Sequence, residues 1–497
     1  MDYPQEKPVK SIPMGKLELI FGIVILFISL LLVNCVFFGG FHLGFAISYS
    51  LCVLCSSGYL LLSGRRPSFY SIVLLLLSLV IAVSFARADD VLVKLVMVCF
   101  LFVSTNLALA LLAGKNHYQP GGIGSLADAF SALFGLGVGE LPASTRGISI
   151  AFRRSGTIGQ KGSAIALGLG FAVPVLLIIV PLLMQADAAF EGMLQYLPEF
   201  SIGEMIMTAL FGGCLAFVLY TRNTALQHTP VKVFPMKNRK GMSPLTVNTL
   251  LITVCLVYCA YLVSQLAYFT GGFAGVLPED YTLAQYARRG FFEMAWLCAI
   301  NLSIITFSLS LCKKETVPLF TRLLCLFIGI VTLFFVCAAS AKMILYIESF
   351  GLTRMRLLTQ VVMLFLGIVT AVISIWLFFP KLPYMKAILI TALVIGATVS
   401  WADVDTVVAS YNVNAYLSGK TETVDVHYLN SLGNGAVPYI EKLAQSAPDH
   451  TIKEDAQMMI VTRWSAAPED FRSWNYVNHT AAKILGDPPE VVDTQFS

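Results

Sequence analysis

Eleven long apolar runs, at about residues 17–38, 41–62, 69–86, 91–112, 163–184, 202–220, 247–270, 291–311, 318–341, 357–379 and 384–400, govern what this chain can fold into. A helix needs about 20 such residues to cross the roughly 30 Å hydrocarbon layer of a bilayer. No water is available there, so each segment must satisfy its own backbone N–H and C=O groups. Uninterrupted runs do so as helices, because they lack the alternation of barrel strands. The expected fold is all-α: a polytopic transmembrane helical bundle of about 11 spans with a small helical C-terminal extracytoplasmic domain. Composition excludes a water-soluble enzyme for the bulk of the chain, since 57% of its 497 residues are hydrophobic and 12% charged, against roughly 25% charged in soluble domains. A net charge of +4 without a clustered basic face argues against nucleic acid as a partner.

Orientation follows from Lys and Arg, which short cytoplasmic flanks retain. With the N-terminus inside, 20 of the 33 basic residues fall on inner segments and six on outer ones. An odd number of spans then sends the C-terminus outside. The chain reads as a multi-pass cell-membrane protein, N-terminus cytoplasmic and C-terminus extracytoplasmic. Its first apolar run follows a charged leader without a small-residue cleavage site, so it is expected to remain as an anchor.

Four parts are expected along the chain: a four-span segment at 1–112, a cytoplasmic loop at 113–162, a seven-span core at 163–400 and an acidic helical extracytoplasmic domain at 401–497. Within the loop, the apolar, Gly-rich stretch Ile123–Gly139 precedes Arg146, Arg153 and Arg154. It fits an interfacial helix over anionic lipid or a re-entrant segment lining a path. The last part has 13 Asp+Glu against six Lys+Arg, and Trp464, Phe471, Trp474 and Tyr476 to bury. All eleven cysteines lie in or at the ends of the apolar runs, so disulfides do not hold that domain together.

Familiar chemical motifs fail on spacing. Ser155-Gly-Thr-Ile-Gly-Gln-Lys161 has Gln160 where a phosphate loop needs Gly, and Gly135-Leu-Gly137-Val-Gly139 lacks dinucleotide spacing. Six scattered histidines offer no metal site, no cofactor is implied, and Cys52-Val-Leu-Cys55 reads as buried small hydrophobes. Pro174 and Pro181 are expected to bend the fifth run, as a hinge or as a packing feature. Polar residues at depth include Asn34, Lys94, Asn106, Gln265, Glu293, Asn301 and Gln360. Such groups commonly face a cavity or partner, although Lys94 is near enough to an outer end to reach the interface.

The candidate site comes from cations on the disfavoured side. Arg288 and Arg289 precede one span, Lys342 ends another, and Arg354 and Arg356 precede a third. With Glu293, Asn301 and the hydroxyls of Tyr286 and Tyr346 they form a candidate ligand-binding shelf for a lipid phosphate or another anion. The alternative is local ion pairing, Glu293 with Arg289 and Glu348 with Lys342 or Arg354.

The segments Tyr281-Thr-Leu-Ala-Gln-Tyr286-Ala-Arg288-Arg289-Gly290, Tyr346-Ile-Glu-Ser-Phe-Gly351-Leu-Thr353-Arg354-Met-Arg356, Asp403 and Asp405 before Tyr411-Asn412, and Asp425-Val-His-Tyr428-Leu429 before Ala436-Val437-Pro438 carry a resemblance. Over about residues 160–480 the chain resembles bacterial polytopic membrane proteins described as domains of unknown function, those numbered 4153 and 4173. That resemblance implies no activity or cofactor.

Three functions compete. The first is a noncatalytic sensory or accessory envelope protein that binds lipid or an anionic ligand at its outer face and engages an extracytoplasmic protein partner through residues 401–497. The second is a transporter or lipid flippase. The third is a lipid-linked transferase with an outer carboxylate such as Asp89, Asp90 or Glu293 as base.

Overall fold

The computed structural model describes residues 11–115, 124–154, 202–229, 242–273, 291–311, 317–463 and 470–486, and helix is the regular structure among them. In chain order the helices are α1 (Lys16–Asn34, with a π-turn Cys35–Gly39), α2 (Leu43–Leu62), α3 (Phe69–Ser84), α4 (Val91–Leu112), α5 (Gly124–Phe130, followed by a π-helix Ser131–Val138), α6 (Leu141–Arg154), α7 (Ile202–His228), α8 (Pro244–Phe273), α9 (Phe291–Leu311), α10 (Leu319–Phe350), α11 (Arg354–Phe378) and α12 (Tyr384–Ala402). Shorter helices follow: α13 (Val404–Leu417), α14 (Val426–Ser431), a 3₁₀ turn Asn434–Ala436, α15 (Val437–Ser446), α16 (His450–Thr462) and α17 (Tyr476–Leu485).

Eight helical stretches among the described residues are long and apolar enough to cross a membrane: Lys16–Gly39, Leu43–Leu62, Val91–Leu112, Gly203–His228, Pro244–Ser264, Leu319–Phe350, Arg354–Phe378 and Tyr384–Ala402. Of the other expected spans, 69–86 is the 16-residue α3 and 291–311 is α9, whose apolar stretch covers Glu293–Leu309. The run at 163–184, with Pro174 and Pro181, lies outside the described residues. Residues that face away from the helix packing, such as Leu62, Phe69, Val91 and Leu245, are mostly exposed, the pattern of side chains whose solvent is lipid.

Helix starts are fixed by side chains that take up otherwise unpaired N–H groups: Ser68 accepts from Ser71, Asp90 from Val93, Asp425 from Tyr428 and Asn475 from Asn478. Within the apolar helices, serines bond back to the carbonyl four residues earlier, as Ser48 and Ser57 do. Others bridge helices, Ser78 to Ser104 at 2.7 Å and Ser84 to Ser400 at 2.6 Å, the polar glue available where burial from water supplies no driving force.

The chain divides into two compact units. Unit 1 comprises residues 1–234, 396–403 and 463–497, and unit 2 residues 235–395 and 404–462. These units and the four compositional parts divide the chain differently. In unit 1, α1 packs on α2 and α7; Phe21 stacks on Tyr59 at 4.4 Å within a core that includes Ile25, Leu60, Leu109, Leu219 and Leu226. Gly212 permits the close approach of α7, because a Cβ there would lie 2.9 Å from the Leu30 Cα. In unit 2, α10 packs against α8, α9 and α11, and Phe335 meets the rings of Tyr258 and Tyr261 edge-on.

The Gly-rich segment of the loop lies along the spans of unit 1. Phe130 and Phe134 pair with Phe102 of α4 at 5.5 and 6.1 Å, and Ala132 is buried beside Leu109 and Leu219. Phe102 is ten residues, about 15 Å, inside the end of α4. The segment therefore packs well inside the end of α4. Two expected tail anchors are not buried: Phe471 and Tyr476 are both about half exposed. The Tyr476 ring instead receives the Arg87 guanidinium, 5.6 Å from its centroid.

Candidate functional site

In unit 2, the start of α11 is tied to α13 and α14. Thr353 caps α11, accepting from the Arg356 N–H at 3.4 Å. The Arg354 guanidinium donates through Nε and Nη2 to the two oxygens of Asp405, in the first turn of α13, and Asp405 also accepts the Gly433 N–H at 2.7 Å. The Arg354 N–H donates to the Tyr428 hydroxyl at 3.0 Å, and burial raises that phenol above the ordinary tyrosine range. Beside it Gly351 adopts φ 75°, and Asn412 binds the neighbouring Leu352 twice, accepting its N–H at 2.7 Å and donating to its carbonyl at 2.8 Å.

Arg356 has a different environment. Its guanidinium lies 4.1 Å over the Tyr346 ring, and Nη1 donates to the carbonyls of Phe350 and Gly351. Among the described residues no carboxylate pairs with it. Glu348, two residues beyond Tyr346, lines an open cleft of about 630 Å³ with Ser410, Tyr411, Asn414, Lys420 and Thr421.

Of the expected shelf, the structure therefore brings Tyr346 and Arg356 together, while the guanidinium of Arg354 turns to Asp405. Lys342 lies one turn before Tyr346 on α10, and Glu293 is exposed in the first turn of α9. Asn301 belongs to a separate network inside the helices: it accepts from the Tyr258 hydroxyl at 2.5 Å and donates to Thr332 at 3.0 Å. Tyr286, Arg288 and Arg289 lie outside the described residues. The carboxylate on Arg354 is Asp405 rather than the nearer Glu348, because the chain folds back through α13.

Unit 1 holds polar groups that sequence spacing did not connect. Lys94 is buried, and its ammonium turns towards the start of α4, donating to Asp89 at 3.3 Å and to His42 Nδ1 at 3.2 Å. Asn475 donates to the same His42 nitrogen at 2.8 Å and to Asp89 at 3.3 Å. Its carbonyl oxygen is already used by the Asn478 N–H, which fixes the amide's orientation. With two donors on Nδ1, the imidazole proton sits on Nε2 and the ring is neutral. Burial, reinforced by the Lys94 charge and opposed by Asp89, pushes His42 down to about 4. Elsewhere in unit 1, Arg472 pairs with Asp470 and with Glu204 at 3.6 Å, and Glu18 accepts from His228 and Tyr59.

Among the described residues no group of three or more His, Cys, Asp or Glu could hold a metal ion. No curated protein and no solved structure matches the chain. A family model described as Domain of unknown function (DUF4153) matches residues 71–443. That match covers most of the chain, which therefore belongs to this family, a domain of unknown function.

Proposed function

We propose that the chain is an accessory or sensory envelope protein that binds anionic lipid, or another anionic ligand, at its outer membrane face. The observation that carries this reading is Arg356: a half-buried guanidinium held over Tyr346 by two backbone carbonyls, with no carboxylate partner among the described residues. Among the described residues nothing accepts from Nε and Nη2, and an Arg fork matches a phosphate edge. Exposed Phe350 and Met355 flank it as apolar neighbours that acyl chains would cover. Arg354, neutralised by Asp405, holds the corner in shape.

In this reading the protein has about 11 spans, a cytoplasmic N-terminus and an extracytoplasmic helical region from residue 401. Met458 and Val461, both well exposed on α16, support a protein partner for that region. A transporter or flippase is the second reading, favoured by the packing of the Gly-rich residues 124–138 against α4 and α7.

Lipid mass spectrometry on protein purified in mild detergent tests the first reading. Arg356→Gln should lower retained anionic lipid several-fold while leaving the helical spectrum unchanged. Equal lipid content in wild type and variant would remove the outer face as the binding site.

A further inference from the structure

Arg222 lies six residues before the end of α7, Ser56 six before the end of α2 and Asn106 six before the end of α4. They meet at one height, about 9 Å inside the helix ends at 1.5 Å per residue. Arg222 is 4% exposed. Nη1 donates to Asn106 Oδ1 at 3.1 Å and Nη2 to Ser56 Oγ at 3.1 Å, an oxygen that also accepts from Asn223 Nδ2 at 3.3 Å. These partners are neutral, and Nε is buried without a hydrogen-bond partner. Lys94 has Asp89, Arg354 has Asp405 and Arg472 has Asp470, but no carboxylate pairs with Arg222 among the described residues. A lone cation at this depth is costly, and such residues ordinarily face a partner charge.

Two further features surround it. At the helix ends below, Arg65 is held by the side chain and carbonyl of Gln227 at 2.7 and 2.8 Å, and Lys115 is buried beside it. Neither has a carboxylate partner among the described residues. Glu18, in the first turn of α1, is occupied by His228, Tyr59 and the Gly15 N–H. The Gly-rich segment closes over α7 at the same level, where a Cβ on Gly137 would meet the Arg222 Cβ at 3.4 Å.

We propose that Arg222 is the cation of a buried anion site in unit 1, reached past Arg65 and Lys115 and taking a phosphate-class oxyanion, either free or as the phosphate of a lipid headgroup. The neutral amide and hydroxyl partners orient the guanidinium, and the anion supplies the missing charge and the acceptor for Nε. The site uses none of the side chains of the outer-face reading, so either can fail alone.

The test uses full-length protein in detergent, in a buffer whose only anion is a bulky sulfonate. Inorganic phosphate is titrated while thermal unfolding is followed, and bound phospholipid is measured by mass spectrometry. For a free anion, phosphate should raise the wild-type midpoint saturably, and Arg222→Gln should need at least about tenfold more. For a lipid, wild type should retain about one phospholipid that Arg222→Gln loses, and added phosphate should have no effect on the filled site. A monodisperse Arg222→Gln with the wild-type phosphate response and lipid content would overturn the proposal, as would a wild type showing neither. If Arg222→Gln does not fold, Arg65→Gln/Lys115→Gln replaces it. That variant should weaken the same response several-fold, and an unchanged response would overturn the proposal.

Discussion

Replacing Asp405 by Ala removes the acceptor of three hydrogen bonds at once, two from the Arg354 guanidinium and one from the Gly433 N–H. Hydrogen bonds to charged groups contribute about 1.5–3 kcal/mol each, and breaking a buried ion pair from one side costs about 3–5 kcal/mol. Arg354 keeps 39% of its side chain exposed, so water recovers part of its solvation and the loss belongs at the low end, about 3 kcal/mol. The loss should be local, because Asp405 joins the start of α11 to α13 and the turn at 433–436. At about 1.4 kcal/mol per factor of ten, α13 should open about a hundredfold more often. Hydrogen exchange on the detergent-solubilised protein reads this directly: peptides covering 404–436 should lose protection while those of α8 keep theirs. Asp405→Asn retains one acceptor oxygen and should fall between. Wild-type protection in Asp405→Ala would refute the reasoning, and protection lost equally in α8 would show that the pair is not a local tie.

Acidification should weaken unit 1 through His42, whose pKa falls from 6.5 to about 4 on folding. Between those values the unfolded chain binds a proton that the folded one does not, so this contribution is intact above pH 6.5 and is lost towards pH 4, by up to about 3 kcal/mol. His42→Gln should flatten that part of the stability profile; parallel profiles for variant and wild type would count against it. Gly351→Ala should cost about 1–3 kcal/mol, since φ 75° with ψ 171° is a conformation essentially reserved for glycine. The added methyl would also stand 2.9 Å from Asn412 Oδ1, so exchange at Leu352 is the readout. A periplasmic-type phosphatase fused after Ser497 should be active if the C-terminus is outside, and activity only on a cytoplasmic reporter would reverse the topology.

The membrane character of this protein is written in run length, because an apolar stretch of about 20 residues has few other physical uses. What run length misses is where helices end: α7 continues to His228 past the polar run Thr221–Gln227, since its Arg and Asn are bonded within the bundle. The candidate site was legible only in part. Tyr346 and Arg356 meet because they lie ten positions apart around one corner, a local arrangement that spacing can suggest. Asp405 for Arg354, or Asn475 for His42, requires knowing how the chain returns over 51 and 433 residues, and no periodicity encodes that. Arg222 escapes run length for a simpler reason: it sits beyond the last residue of the apolar run at 202–220 and so reads as a flank.

The chain passes between its two units four times, after residues 234, 395, 403 and 462. Unit 1 therefore contains both the first and the last of the described helices: Leu43 donates its N–H to the Trp474 carbonyl, and Arg472 reaches Asn34. During synthesis at about 5–20 residues per second, Asn475 for His42 and Arg472 for Asn34 emerge on the order of tens of seconds after them. In that interval the polar ends of α1 and α2 must stay hydrated or be held by other cellular factors. Unit 1 is thus completed late in translation, and a ribosome stalled before residue 470 would leave its earliest helices without the segment that closes them.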